Sequence, residues 1–385
     1  MRFSAGSFFS HGDHSVQRLK SLISANIRSG GAAIDAFLEG PVWANGCLWV
    51  TDIPFGRIFR ISPRGDWELV AQYDGEPNGM KWLGGDAFLI TDYRNGLMLL
   101  DAATLYYRAY YALPDSLVSP RGEPVNAIRG FFDGLRSLRD QYRPNRVVAC
   151  WDEDWRPQWR VDLLPSYKTH RLADADDIED LEEVPDTLSP QIPIIAEICT
   201  ALGIAVAGAP ELEADDVVAA LALTADSPVD IVSGDRDLTQ LVNDAAGRRL
   251  LYLGTGVNKH TVYDETQVLG TYGVRADQYA DFAVLRGDPS DGIPGAPGIG
   301  AKTAAQYLQA FGNLDGILEA ASHDTPPLTR TKAATLREHA DELRRTQRVV
   351  TLRSGRVPVP KVKRNDEAIA ALGERYGIQS VLGRW

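Results

Sequence analysis

Four apolar residues, an aspartate and the beginning of a helical pattern follow one another in Leu97-Met98-Leu99-Leu100-Asp101-Ala102-Ala103-Thr104-Leu105. A continuous apolar run is typical of a strand that is buried on both faces of a sheet. The residues from Ala102 to Tyr110 have the spacing of an amphipathic helix. The stretch therefore predicts a strand, an aspartate at its carboxyl end and a helix, which is the repeating unit of an α/β fold.

The strand pattern recurs downstream, at residues 146–151, 204–207, 229–234 and 249–253. Strands that alternate with helical segments predict a parallel α/β sheet. The first strand and two of these four are followed directly by an aspartate, namely Asp101, Asp152 and Asp235. Because the carboxyl ends of parallel strands meet at one edge of a sheet, we expect the three carboxylates to lie together there.

A cluster of acids, Glu213-Ala214-Asp215-Asp216, opens the apolar run 217–223, and no Lys or Arg lies between Arg171 and Arg236. Carboxylates this close repel one another, and their pKa values rise unless a cation lies between them. Oxygen-only clusters suit Mg²⁺ or Mn²⁺. The alternative is a helix N-terminus, where acids act as caps and are favoured by the helix dipole. The three strand-end aspartates together with this cluster favour a site for several metal ions over four separate caps.

A loop rich in glycine and proline extends from Gly287 to Gly300, just before a helix predicted from about Lys302. Backbone N–H groups at such a helix start can bind a phosphate, and Lys302 adds positive charge. A structural hairpin turn is the alternative. Asp288 and Asp291 lie at the start of the loop, so we expect it to join a duplex-binding element to the metal site.

Cations and aromatic residues alternate in residues 155–160 and 167–171. This combination suits single-stranded nucleic acid, because aromatic rings stack on bases while cations pair with phosphates. Many such stretches are merely surface, and that alternative stays open. The acidic run 174–183 that follows is expected to be a solvated part of a loop or arch.

The composition sets outer limits on the function. The 385 residues suffice for two or three domains, and a hydrophobic content of 44% permits ordinary cores. The net charge of −12 does not exclude nucleic acid, because acids can collect at a metal site while basic groups line a groove. Cys47, Cys150 and Cys199 lack metal-type or disulfide-type spacing, and no signal peptide or membrane span is visible. We expect a cytoplasmic protein with buried, reduced thiols.

The N-terminal segment has a different character. Short aromatic strands recur with a period of about 40 between residues 38 and 100, as in propeller blades. The motifs Glu39-Gly40-Pro41-Val42-Trp43 and Pro77-Asn78-Gly79 resemble the gluconolactonase and senescence-marker family of six-bladed propellers. That resemblance implies a metal ligand at Glu39 and a substrate contact at Asn78. At most two blades are present, so we expect a non-catalytic remnant.

The remaining motifs resemble the 5′-nuclease family of flap endonucleases, which includes the 5′–3′ exonuclease domain of bacterial family A DNA polymerases. Six motifs carry the resemblance, in order along the chain: Asp101-Ala102-Ala103, Trp151-Asp152, Tyr167-Lys168-Thr169-His170-Arg171, Glu213-Ala214-Asp215-Asp216, Gly234-Asp235-Arg236-Asp237 and Gly287-Asp288 through Thr303. It implies a parallel-sheet, PIN-like nuclease domain with a helical arch over residues 97–275. A helical DNA-binding domain with a helix–three-turn–helix would follow over residues 276–385, and residues 1–96 would be an extension. No polymerase domain follows, so we expect a free-standing nuclease.

The resemblance also assigns roles to residues. It implies that two or more Mg²⁺ or Mn²⁺ ions are held by Asp101, Asp152, Glu213, Asp215, Asp216, Asp235, Asp237, Asp288 and Asp291. Tyr167, Lys168 and Arg171 match the catalytic gateway that contacts the scissile phosphate. The implied DNA contacts are Gly298, Gly300, Lys302, Thr303 and Arg160, with a possible K⁺ on the loop carbonyls. The implied activity is metal-dependent 5′–3′ exonuclease or 5′-flap endonuclease cleavage in DNA replication and repair, by a monomer acting on DNA 5′ ends or flaps.

Three other functions are weighed against this one. An RNA-cutting relative is disfavoured by the element 298–303, which suits duplex DNA. A DNA-binding protein without catalysis is disfavoured by the full carboxylate set, and a sugar lactonase by the missing blades. Gly292 and Leu212 depart from the family, which usually has Asn and an aromatic residue there, but neither departure removes a ligand. Residues 1–96 are expected to leave the sheet at the edge opposite the site, without blocking catalysis.

Overall fold

The computed structural model describes residue 36 and residues 38–72, 77–92, 96–172 and 182–385. Most of the acidic run predicted to form a loop or arch, and the first part of the N-terminal extension, lie outside these ranges. The chain divides into two compact units, residues 1–95 and residues 96–385. Cys150 and Cys199 are buried free thiols, and Cys47 is a half-buried one.

The first unit is built of antiparallel strands. Its four-stranded sheet has the order β1-β2-β3-β4, with β1 Leu38–Ala44, β2 Cys47–Asp52, β3 Arg57–Ile61 and β4 Trp67–Gln72. A separate hairpin pairs β5 Pro77–Gly84 with β6 Ala87–Asp92. Among the described residues of this unit the buried clusters are small, one around Val50 and one around Trp49, and Trp43, Trp67 and Trp82 are exposed. The strand-rich character predicted for this segment is present, whereas its kinship to propellers stays a prediction.

A six-stranded sheet organises the second unit. Its strands are β7 Leu97–Asp101, β8 Arg146–Cys150, β9 Ala205–Ala207, β10 Val229–Ser233, β11 Arg248–Tyr252 and β12 Thr261–Tyr263. Their order is β12-β11-β10-β7-β8-β9, and all neighbours are parallel except β12, which runs antiparallel to β11. The parallel α/β sheet predicted from the sequence is therefore confirmed.

Both faces of this sheet are buried, as the apolar run 97–100 predicts. Met98 and Leu100 pack into the core on one face, while Leu99 packs into the core on the other, and all three are fully buried. The first core is covered by α1 Ala102–Ala112, α2 Asn126–Tyr142 and α4 Gln191–Ala201. The second core is covered by α5 Ala214–Thr224. The short α3 Gln158–Leu163 precedes α4 in the chain.

A helical region with its own core follows the sheet. It contains α6 Glu265–Tyr272, α7 Tyr279–Arg286, α8 Ala301–Phe311, α9 Leu314–Ser322, α10 Arg330–Glu338 and α11 Ala340–Val350. The last two helices, α12 Asp366–Tyr376 and α13 Gln379–Leu382, instead join the core of the sheet region. The backbone N–H of Asn365 donates to the carbonyl of Ala201 at 2.8 Å. The C-terminal part of the predicted domain 276–385 thus packs with α2 and α4. Within the described residues, every helix is too short or too polar to cross a lipid bilayer.

Candidate active site

A cavity of about 1420 Å³ opens at the carboxyl ends of the central strands. Asp101, Asp152, Asp215 and Asp235 all line it. Three of them end or follow β7, β8 and β10, and Asp215 lies in the first turn of α5. The structure thus brings together acids that are separated by up to 134 positions in the sequence.

Each of the strand-end aspartates is held by hydrogen bonds. Asp101 accepts from the backbone N–H of Thr104 at 3.1 Å and from Oγ of Ser233 at 2.6 Å. Asp152 accepts from the backbone N–H of Ala214 at 2.8 Å, which ties the end of β8 to the start of α5. Asp101 therefore caps α1 and lines the cavity at once, so the helix-cap alternative holds for this residue without removing it from the site.

Burial, and after it the neighbouring carboxylates, disfavours the charged form of the unpaired acids. Burial raises the pKa of Asp152 to about 7, and burial together with the carboxylate of Asp291 raises that of Asp235 to about 6. Burial and the neighbouring Asp235 and Asp101 raise the pKa of Asp215 well above its ordinary value. These shifts are what closely spaced carboxylates show in the absence of a compensating cation.

The nine predicted ligands divide into two groups by their partners. In the described part of the chain, no ion pair reaches Asp101, Asp152, Asp215, Asp235 or Asp237. The other four acids, Glu213, Asp216, Asp288 and Asp291, each pair with a Lys or Arg. Of the first group only Asp237 stays outside the cavity lining, and its side chain is buried. The four aspartates that line the cavity without a cationic partner are the strongest candidate ligands.

The position of Arg160 differs from the predicted one. The family resemblance implies a DNA contact for this residue, but its side chain is only 2% exposed. One guanidinium nitrogen donates to Glu213 Oε1 and to Asp216 Oδ2, each at 2.8 Å, and the other donates to Asp216 Oδ1 at 2.9 Å. Its Nε donates to the carbonyl of Val349 at 3.1 Å. A residue this enclosed cannot contact DNA directly, and Arg160 instead anchors the start of α5 to the end of α11.

Asp216 belongs to the same buried network. Besides Arg160 it accepts from the backbone N–H of Arg353 at 2.8 Å, and its carboxylate caps the N-terminus of α5. All its close contacts are therefore protein donors, and it does not line the cavity. These contacts assign Asp216 to anchoring rather than to the metal-ligand role expected from its position in the motif.

The predicted gateway lies beside Glu213. Tyr167 donates its hydroxyl to Glu213 Oε1 at 2.9 Å, and Lys168 Nζ pairs with Glu213 Oε2. Burial alone would raise the pKa of Glu213, but the charges of Lys168 and Arg160 lower it below its ordinary value. Lys168 and Arg171 both line the cavity, while Tyr167 is buried and does not line it.

The glycine-rich loop is joined to this gateway through its acids. Arg171 donates to Asp291 Oδ1 at 3.2 Å, and the backbone N–H of Lys168 donates to the Asp291 carbonyl at 3.1 Å. Asp288 pairs with Arg236 at 3.2 Å and with Arg286 at 2.9 Å. Neither acid lines the cavity, so in this structure both act as supports of the loop.

The expected phosphate-binding element lies at the start of α8. Gly300 precedes the helix, and Gly300 and Lys302 are exposed while Thr303 is half-buried. The carbonyl of Gly298 accepts from Lys332 Nζ, so this oxygen already has a cationic partner and the K⁺ expected there stays a prediction. A second cavity of about 460 Å³ contains Lys302.

Several residues that organise the site were not singled out in the sequence. Ser233 and Thr104 position Asp101, and Lys332 contacts the loop from α10. Ser233 had a local signal, because it is the last residue of the strand before Gly234 and Asp235. The backbone contacts of Val349 and Arg353 leave no sequence pattern, since any side chain could accompany them.

Gly292 gives a test of the loop. It has a φ of 70°, and an added Cβ would overlap the Ser166 carbonyl oxygen and lie 3.4 Å from the backbone nitrogen of Lys168. We expect Gly292→Ala to lower the free energy of unfolding by about 1–3 kcal/mol from backbone strain, with a further loss from the overlap, and to slow catalysis by displacing Lys168.

Gly273→Ala is the matched control for this test. Gly273 has a φ of 72°, but its added Cβ would meet only ordinary contacts at 3.5 and 3.8 Å. Urea denaturation and cleavage rates of both variants check the prediction. Equal losses of stability and equal rates in the two variants would contradict it, since only Gly292 closes against the gateway.

The donor chemistry of the cavity fits a hard divalent cation. All four candidate ligands offer carboxylate oxygens, which Mg²⁺ and Mn²⁺ prefer. Across the described residues, however, no three Asp, Glu, His or Cys side chains surround one point closely enough to hold an ion as they stand. The type of ligand therefore fits, while the side chains must draw together to bind.

Comparison with known families and proteins gives consistent matches. A model described as "5'-3' exonuclease, N-terminal resolvase-like domain" matches residues 96–273, and one described as "5'-3' exonuclease, C-terminal SAM fold" matches residues 274–367. A 5′-3′ exonuclease of Streptomyces coelicolor is 48% identical over 74% of this chain and 98% of its own. A 5′-3′ exonuclease of Mycobacterium tuberculosis is 45% identical over 76% of this chain and 96% of its own.

Solved structures share the fold at low identity. The D15 protein of bacteriophage T5, co-crystallised with metal ions, is 19% identical with a TM-score of 0.53, over 75% of this chain and 96% of its own. The D15 flap endonuclease in a complex with DNA and metal ions is 20% identical with a TM-score of 0.52, over the same shares of both chains. At these identities the likeness establishes the arrangement of the sheet and helices.

Proposed function

The chain belongs to the 5′-3′ exonuclease family, and we propose that its four-aspartate cavity hydrolyses phosphodiester bonds near DNA 5′ ends and at 5′ flaps. The protein is a hydrolytic nuclease with 5′–3′ exonuclease or flap endonuclease function. One observation carries the assignment to this cavity: Asp101, Asp152, Asp215 and Asp235 line it together and none has a cationic partner in the described part of the chain.

The chemistry needs divalent ions, and the carboxylate set is consistent with that need. When bound, two ions activate a water molecule and stabilise the leaving oxygen of an in-line displacement. The four aspartates would hold them, and we propose Mg²⁺ or Mn²⁺ in two or more positions. Lys168 and Arg171, at the wall of the same cavity, would offset negative charge that develops on the phosphate.

The supporting residues have separate tasks in this proposal. Tyr167 and Arg160 fix the orientation of Glu213 by hydrogen bonds at 2.9 and 2.8 Å. The exposed start of α8, with Lys302, would bind the duplex backbone through its free N–H groups. We propose that the substrate is DNA at single-strand/duplex junctions, in replication and repair, and that the protein acts as a monomer.

A 5′-labelled flap substrate tests this function. We expect cleavage of the flap with Mg²⁺ or Mn²⁺ and none with EDTA, with products resolved by length on a sequencing gel. Retention of the labelled DNA without cleavage in either ion would favour the alternative of a non-catalytic DNA-binding protein. Cleavage that persists in EDTA would contradict the proposed metal-assisted mechanism.

The first unit is not required in this proposal. The Streptomyces coelicolor relative is matched over 98% of its length by only 74% of this chain, and the family models begin at residue 96. We expect a shortened protein that begins at Met98 to cut the flap substrate within about threefold of the full-length rate, a change of less than 1 kcal/mol in the barrier. Loss of cleavage in a shortened protein that still folds, judged by circular dichroism, would show that the first unit contributes to activity.

A further inference from the structure

The loop in front of α8 is held from one side by a lysine of α10. Lys332 Nζ donates to the carbonyl oxygen of Gly298. Lys332 is half-buried, and within the described residues no carboxylate pairs with its ammonium group. The ammonium group therefore has its protein partner in the loop, at the place where the family resemblance implies a K⁺ ion.

Gly298 and Lys332 are fitted to each other. Gly298 has a φ of 70°, in the left-handed region that side chains disfavour. A Cβ added there would lie 2.5 Å from Lys332 Nζ, so the ammonium group already occupies the space where a side chain would begin. The absence of a side chain on Gly298 thus lets the lysine reach the loop backbone.

The backbone on both sides of this contact is anchored. Ile299 of the loop and Ala333 of α10 are buried in the same core, that of the helical region. Thr329 caps α10 by accepting from the backbone N–H of Lys332 at 3.3 Å. Because packed structure fixes the loop and the start of α10, the ammonium group is presented to the carbonyl without the ordering of any further segment.

These contacts do not fit a K⁺ ion on the same carbonyl. A carbonyl oxygen has two lone pairs, so a backbone N–H and an ion can share it. The carbonyls of Ala296 and Gly300 accept from backbone N–H groups at 3.0 and 2.9 Å and keep that capacity. The Gly298 carbonyl differs, because the full charge of the Lys332 ammonium repels a second cation on the same oxygen. Ammonium and K⁺ carry the same charge and are similar in size, so one replaces the other.

The exposed side of the loop keeps its positive potential. The first backbone N–H groups of α8, from Ala301 to Thr303, have no partner within the helix. An ammonium group donates up to three hydrogen bonds, and the Gly298 carbonyl accepts one of them from Lys332. The lysine thus holds the loop and still carries a charge beside the helix start, as a bound ion would.

We propose that the ammonium group of Lys332 takes the place of a monovalent cation in this loop, so that duplex binding by the start of α8 does not depend on K⁺. The charge is part of the chain, and no ion has to bind before the DNA does. The inference rests on the duplex binding proposed above and adds to it the source of the positive charge in the loop. It replaces the K⁺ ion that the family resemblance implies.

Equilibrium binding of the full-length protein to fluorescent 5′-flap DNA, in EDTA and two chloride salts at about 0.1 M, tests the inference. The wild type should bind within about twofold as tightly in tetramethylammonium chloride, whose cation is too large for the loop, as in KCl. Lys332→Met should weaken binding about five- to tenfold in both salts and reduce the slope of log Kd against log salt by about 0.9. Lys332→Ala frees the space for K⁺, so its binding should be as weak in tetramethylammonium chloride but within about threefold of the wild type in KCl.

Lys361→Met is the matched control, because it removes the same charge from an exposed position outside the core of the helical region. It should bind like the wild type in both salts. Wild-type binding that weakens more than about fivefold when K⁺ is replaced would overturn the inference. Wild-type affinity and salt slope in Lys332→Met would overturn it as well.

Crystals soaked in rubidium chloride give a reading without DNA, since Rb⁺ substitutes for K⁺ and is located by anomalous scattering. We expect no Rb⁺ at the Gly298 carbonyl in the wild type and an ion there in Lys332→Ala. An ion in the wild type, or none in either protein, would overturn the inference even if the protein failed to bind duplex DNA. Cleavage is scored separately: binding that depends on Lys332 without cleavage in Mg²⁺ would refute the nuclease proposal alone, and cleavage with K⁺-dependent wild-type binding would refute the role of Lys332 alone.

Discussion

Asp235→Asn is expected to reduce flap cleavage at least about 1000-fold, because a ligand charge that stabilises the transition state by several kcal/mol is lost. The substitution should leave the fold intact. Asp235 Oδ1 accepts a hydrogen bond from the backbone N–H of Asp237 at 2.8 Å, and the amide oxygen of Asn can accept the same bond. The loss would therefore report on charge rather than on geometry.

The stability of this variant separates ligand loss from unfolding. The pKa of Asp235 is raised to about 6 in the folded protein, above its ordinary value of 3.8, because burial and Asp291 disfavour its charge. A raised carboxyl pKa means that the ionised form is less stable in the fold than in the unfolded chain, so at pH 7 the charge lowers stability. We expect the melting temperature of Asp235→Asn in EDTA to equal or exceed that of the wild type.

Asp226→Asn, at an exposed position outside the cavity, is the matched control and should retain cleavage. Cleavage by Asp235→Asn within about tenfold of the wild-type rate would remove Asp235 from the metal site. A melting temperature several degrees lower in EDTA would instead attribute lost activity to a damaged fold. Calorimetric titration with Mn²⁺ gives an independent reading, since the variant should bind fewer or weaker ions.

The convergence of the four aspartates could be predicted from the sequence because it follows from local patterns. Leu97–Leu100 is a buried-type strand, and Asp101 comes directly after it. The same relation places Asp152 and Asp235, and the parallel sheet then brings their ends to one edge. The place of Asp215 in the site follows from the predicted start of a helix alone. Periodicity and strand ends therefore suffice to predict that these four acids converge.

The pairing of the other acids could not be predicted, because it depends on contacts between distant segments. Asp216 follows Asp215 directly, yet it faces Arg160 from 56 residues earlier and the backbone of Arg353 from 137 residues later. A helix turns about 100° per residue, so neighbours in a motif point in different directions. The motif identifies the helix start, whereas only the packing of α3 and α11 against it distinguishes a cavity acid from an anchor. For the same reason the motif around Arg160 predicts a DNA contact, although the residue is buried.

Arg160→Met is expected to lower the free energy of unfolding by about 3–5 kcal/mol, because it leaves buried carboxylates without their cation. Arg160 is 2% exposed, and its guanidinium contacts both Glu213 and Asp216. Glu213 keeps Lys168 and Tyr167 as partners, but Asp216 would keep only backbone donors, chiefly the N–H of Arg353. At about 2–4 °C per kcal/mol, the melting temperature should fall by about 10 °C.

Arg344→Met is the matched control, since Arg344 pairs at 3.3 Å with Asp315 and both side chains are largely exposed. An exposed ion pair contributes about 0–1 kcal/mol, so this variant should melt within a few degrees of the wild type. Adding Asp216→Leu to Arg160→Met removes the orphaned charge and should recover part of the lost stability, because a buried pair can be replaced by apolar groups at little cost. If Arg160→Met melts like Arg344→Met, the carboxylates of α5 do not depend on Arg160. If the double variant is less stable than Arg160→Met alone, Asp216 is held by its backbone donors and not by the ion pair.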